Sequence, residues 1–167
     1  MSGPGDIDWD APAEPDSGLF GFDTAPAEAA VVVIGAPWEP TTSYGKGTAR
    51  TPGRIVRASH QLDLYDPFLE RPVGPEIAYQ PAPDDWLALN EAACTAANRG
   101  EVGAVNTASD AFNQALADAV DAHLGADRIV GVLGGDHSAP FAAITSIARH
   151  LGEGIGVLQI DAHHDLR

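Results

Sequence analysis

Three short apolar runs constrain this chain more than any other feature: Ala30-Val31-Val32-Val33-Ile34-Gly35, Ile129-Val130-Gly131-Val132-Leu133 and Gly156-Val157-Leu158-Gln159-Ile160. Each is rich in β-branched residues and too short for an ordinary helix, so each reads as a buried strand of a parallel sheet. Parallel strands need crossovers, and the sequence between the runs can supply them as helices. Apolar spacing predicts a helix from about Pro52 to His60, with Ile55, Val56 and Ser59 facing inward. Another is expected from Trp86 to about Asn98 behind Asp84 or Asp85, and a third from about Asp110 to Leu124 behind Thr107 or Ser109, ended by Gly125. A fourth should start at Ser138, with Pro140 just inside it, and run to about His150. A short strand is expected at Glu76–Tyr79 and an extended stretch at Gln61–Asp66, within otherwise irregular chain from Pro67 to Pro83. The fold class is therefore α/β.

Chemistry belongs at the carboxyl ends of such strands, where open parallel sheets form their crevices. The third run delivers Asp161-Ala162-His163-His164-Asp165, in which Asp161, His163 and Asp165 recur at a spacing of two and so share one side of an extended backbone. Two carboxylates and an imidazole make a mixed oxygen and nitrogen donor set suited to Mn²⁺ or, with small changes, to Zn²⁺, Fe²⁺ or Co²⁺. The second run delivers Gly134-Gly135-Asp136-His137-Ser138. Its two glycines allow a tight turn and close backbone approach, which brings His137 toward the acid-imidazole-acid set if the two strands are neighbours.

Gly-Gly-Asp-His-Ser followed by Asp-Ala-His-His-Asp, each closing an expected strand, resembles the ureohydrolases: arginases, agmatinases, guanidinobutyrases and their relatives. The resemblance implies a three-layer αβα fold around a mostly parallel sheet, with residues 31–167 as the amino-terminal half of the α/β domain. It implies two Mn²⁺ ions, with His137 a ligand of one, Asp161 the bridging carboxylate, His163 a ligand of the second and Asp165 a further ligand of the first. The implied reaction is hydrolysis of a guanidinium C–N bond, releasing urea and an amine. The implied assembly is a homotrimer or homohexamer. Members of the family are about twice as long, and their later acidic ligands, active-site His and substrate-facing Glu fall beyond Arg167. The 167 residues alone are thus expected to bind metal poorly and not to turn over a small guanidino substrate. Two rival readings are a zinc-dependent deacetylase-like hydrolase, suggested by the Asp-x-His pair, and a non-catalytic or split-chain partner keeping half a metal site.

The first loop, Ala36 to Thr48, resembles the family's rim loop in its Thr-Ser-Tyr and Gly residues. The following Thr48-Ala49-Arg50-Thr51-Pro52-Gly53-Arg54 departs from the Arg-Phe-Gly-Pro pattern of agmatinases, which weakens agmatine as the specific substrate. His60 and His123 lack partners at ligand spacing and read as structural. So does Cys94, which also leaves no intrachain disulfide framework and points to a reducing compartment.

The net charge of −15 is unevenly spread: residues 1–45 hold eight acids and no Lys or Arg, leaving −7 for the remainder. That balance argues against nucleic acid and anionic membrane as partners. There is no apolar span of membrane length and no signal peptide pattern, so a cytoplasmic protein is expected. Residues 1–30, rich in Pro, Gly, Ala and acids, read as a flexible leader whose Leu19-Phe20-Gly21-Phe22 patch can dock on the core or on a neighbouring subunit.

Overall fold

The computed structural model describes residues 7–9, 11–152 and 154–163. The first apolar run forms strand β1 (Val31–Ala36), and the chain then passes through helix α1 (Thr51–Ser59) and a two-residue ribbon, β2 (Tyr65–Asp66) against β3 (Arg71–Pro72). Strand β4 (Ile77–Gln80), helices α2 (Asp84–Asn98) and α3 (Val102–Leu124), strand β5 (Ile129–Gly134) and helix α4 (Pro140–Leu151) follow. The sheet order is β4-β1-β5, with both pairings parallel. Register places Ala36 opposite Gly134, so the loops leaving β1 and β5 emerge side by side. That adjacency forms the cleft beside His137.

Period-two alternation explains the layers. Val32 and Ile34 on one face of β1 are fully buried and join Trp38, Phe112, Leu116 and Val120 in the main core. Trp38 stacks on Phe112 at 4.5 Å, and Trp86 meets the same ring edge-on at 5.4 Å. These rings lock the first residues after β1 onto α2 and α3. Asn90 of α2 is buried, and its Oδ1 accepts the Glu39 backbone N–H at 2.9 Å, which continues the anchoring into the loop.

The opposite face is covered by α1 and by a 3-10 turn at Leu19–Gly21. Leu19 is buried, Phe20 donates its backbone N–H to Ser59 Oγ at 2.8 Å, and His60 Nε2 lies 3.0 Å from Gly18 O. The Leu19–Phe22 patch thus lies on the chain's own core. Gly21 has φ +83°, and a side chain there would run into Ala13, so the turn depends on glycine.

Several boundaries differ from expectation. Helix α3 starts at Val102, well before Asp110, because Thr107 does not cap; its hydroxyl donates to Gly103 O from within the helix. Ser138 likewise does not cap α4, whose first residue is Pro140. Ile55 is 40% exposed, while Val56 and Ser59 face inward as expected.

The larger correction concerns the third apolar run. Residues 154–161 form no strand, and Val157, Leu158 and Ile160 are 65%, 86% and 91% exposed. A two-sided buried strand needs a layer on each face, and among the described residues no layer encloses this run. Ile155 to Leu158 instead border an open apolar hollow against Ile144 and Leu151 of α4. No helix among the described residues is long and apolar enough to cross a membrane.

Candidate metal centre

The turn after β5 is shaped by close approach. A side chain on Gly135 would collide with the Thr48 backbone, and one on Gly134 would press on Ala139 Cβ at 3.0 Å and Ala36 O at 3.3 Å. Glycine at both positions lets this turn nest against the β1 loop. Asp136 is 6% exposed, and its carboxylate is fully engaged. Oδ1 accepts the Ser138 N–H at 2.9 Å, while Oδ2 accepts both the N–H and the hydroxyl of Thr41 at 3.1 and 2.6 Å. The neighbouring His137 side chain, 59% exposed, lines a cleft of about 470 Å³ together with Thr41 to Lys46 and Thr48.

Asp161 meets His137 across this end of the molecule. One carboxylate oxygen lies 3.6 Å from His137 Nε2, and the other lies 3.5 Å from His163 Nδ1 and accepts the His163 backbone N–H at 2.7 Å. That backbone hydrogen bond, against the opposing effect of desolvation and with help from the two imidazoles, lowers the Asp161 pKa below the ordinary carboxylate value. The carboxylate is therefore ionised near neutral pH, the form a cation requires.

Of the four residues picked out from the sequence, the structure brings His137 and His163 each to Asp161; Asp165 lies outside the described residues. Among the described residues no three His, Cys, Asp or Glu side chains converge tightly enough to hold an ion by themselves. The contacts are pairwise and share Asp161. One carboxylate presents each oxygen toward a different imidazole, a mixed oxygen and nitrogen donor set of the kind divalent transition metals take.

The cleft's outer wall is the β1 loop. Glu39 Oε2 accepts the N–H groups of Gly47 and Ala49 at 2.6 and 3.0 Å, and Lys46 Nζ donates to the Glu39 and Pro40 carbonyls at 2.8 and 3.1 Å. Burial would raise the Glu39 pKa, but the Ala49 and Gly47 hydrogen bonds and the Lys46 charge outweigh it and leave the pKa lowered. Tyr44 at the tip is fully exposed.

Sequence reasoning did not single out Asp136, Glu39 or Thr41. The available signal was an acidic residue in each of the two loops that leave strand ends, Glu39 after the first run and Asp136 after the second. His60, His123 and Cys94 do not line the cleft. His123 Nε2 lies 2.6 Å from Gln80 Oε1, and burial, with the Arg128 charge, lowers its pKa. Burial also pushes the Cys94 thiol up, so it is a poor nucleophile.

A parallel sheet with His137 on the turn after β5, facing an acid that also meets His163, defines a class, the α/β proteins with a candidate metal centre at one end of the sheet. Residues 29–167 match the arginase family. This chain belongs to that family. It is 32% identical over 144 residues to an N(1)-aminopropylagmatine ureohydrolase of Synechocystis sp., covering 86% of this chain and 43% of that protein. It is 28% identical over 140 residues to an agmatinase of Bacillus cereus, covering 84% and 42%. A formimidoylglutamase of Halalkalibacterium halodurans is 61% identical over 36 residues, 22% of this chain and 11% of that one. The chain thus spans about two-fifths of the length of the first two of these relatives. No solved structure matches it significantly.

Proposed function

We propose that the protein is a binuclear manganese hydrolase that cleaves the C–N bond of a guanidino compound, releasing urea and an amine. The observation that carries the reading is the Asp161 carboxylate, with an imidazole near each oxygen. Family membership supports the reaction class, and the names of the relatives, agmatinase and N(1)-aminopropylagmatine ureohydrolase, favour a substrate with a guanidinium group and a cationic amine tail.

In this reading His137 would hold one ion, His163 the other, Asp161 both, and Asp165 would complete the first. When bound, the ions supply positive charge and make a water acidic enough to attack at neutral pH. The chain's own contribution is positional. The His163 backbone N–H keeps Asp161 ionised and aimed, and the Asp136 bond to the Ser138 N–H fixes the turn that carries His137. Hydroxyl groups of the β1 loop line the approach for a polar substrate. We further propose a cytoplasmic homotrimer or homohexamer.

The test is metal content and urea release from agmatine in a manganese-loaded full-length enzyme carrying these residues and in its His137→Ala variant. Two ions per chain, falling toward one with loss of urea in the variant, is the expected result. Full activity of the variant with two ions retained would refute the assignment.

A further inference from the structure

We propose that Asp136 is a positioning residue that bolts the β1 loop to the His137 turn, so that the loop segment 42–46 forms a fixed wall against which the substrate binds. The proposal rests on the hydrolase reading for the identity of the substrate, but the bolt itself stands on geometry. A carboxylate 6% exposed must have its lone pairs satisfied, and here the two oxygens serve different loops. Oδ1 holds the Ser138 N–H within the turn after β5, and Oδ2 holds Thr41 through both its N–H and its hydroxyl. The hydroxyl bond, at 2.6 Å, is the shortest of the three.

Two further struts restrain the same loop. Gly135 lies so close to Thr48 that no side chain fits between them, and Glu39 gathers the N–H groups of Gly47 and Ala49 from within the loop. The loop is thus held at Thr41 and again at Gly47 to Ala49. Between these anchors the segment from Thr42 to Lys46 stands over the cleft, with Tyr44 at its tip. A wall tied to the turn that carries His137 keeps a constant distance from the reacting centre, which is what orientation of a flexible cationic substrate requires.

The side of the bolt that faces the loop can be weakened without touching His137, by removing the shorter of its two bonds. Thr41→Val removes the hydroxyl at nearly constant volume, and Thr41→Ser restores it. In the manganese-loaded full-length enzyme carrying these residues, Thr41→Val should speed hydrogen exchange of the amides of 42–46 and raise KM for agmatine about tenfold with kcat and metal content unchanged, while Thr41→Ser stays close to the parent. Asp136→Ala should speed the same exchange and also loosen metal retention, because it releases both loops. Unchanged exchange in Thr41→Val would overturn the bolt. Faster exchange with unchanged KM would overturn the wall, and so would a loss of kcat and metal together. If the full-length parent enzyme releases no urea, the hydrolase reading fails separately. Exchange in the metal-loaded protein without substrate then decides the bolt, and binding of agmatine by calorimetry to parent and Thr41→Val decides the wall.

Discussion

At Asp161 a single carboxylate serves two imidazoles, and its lowered pKa follows from the His163 backbone donor and then from those rings. Asp161→Asn keeps the shape but offers one neutral acceptor in place of two anionic oxygens. Metal should therefore be lost from both positions, in contrast to the partial loss expected of His137→Ala, and elemental analysis after dialysis distinguishes the two. Glu39 gives the residue scale a pH dependence. Its pKa in the folded protein lies below the ordinary value of 4.5, so its contribution to stability is complete above that value and is lost as pH falls through the folded pKa. The stability difference between the parent and Glu39→Gln should accordingly be largest at neutral pH and shrink at about pH 3, as read from urea midpoints at the two pH values.

Helix α3 shows how an element is set by what it packs against. Its apolar positions Phe112, Leu116 and Val120 recur at helical spacing, and all three are buried under β1 and the Trp38 ring. That periodicity was legible in the sequence. Its start was not, because Thr107 and Ser109 look like caps until tertiary packing rewards the additional turns from Val102. Removing the shared ring by Phe112→Ala should cost about 3–5 kcal/mol, since Trp38 and Trp86 both lose their partner, and a denaturant titration with unchanged slope would report it. The leader is the counterpart on the other face. Ser59 Oγ accepts the Phe20 N–H and donates to Val56 O at 2.6 Å. Ser59→Ala should cost about 1–3 kcal/mol through the stranded donor and bring faster proteolysis near Phe20, as limited digestion would show.

At the scale of the whole molecule, enclosure grades the three apolar runs: β1 is mostly buried, β5 is only half-buried with Ile129 69% exposed, and the third run forms no strand. Val32 and Ile34 are fully enclosed, whereas Leu158 is 86% exposed. Leu158→Asp should therefore change stability by less than about 0.5 kcal/mol, while Leu116→Ala should cost about 2–5 kcal/mol, a contrast measurable by thermal unfolding. The three runs look alike as sequence because composition and β-branching record only the tendency to be buried. Whether a run is enclosed depends on which layers are present to enclose it. The same reasoning applies to the site, where the spacing of Asp161 and His163 was readable but the distance of each imidazole from the carboxylate was not.

Local pattern by itself determined the parallel α/β class, the strands β1 and β5 and the approximate helices, and singled out residues of cation-binding chemistry, because periodicity and donor chemistry are properties of neighbours along the chain. Tertiary structure alone decided that Ala36 lies opposite Gly134, that Asp136 ties Thr41 to the His137 turn, and that the leader covers a sheet face. Those relations join residues as much as about a hundred positions apart. They exist only once strand register and close packing bring such residues within hydrogen-bonding distance.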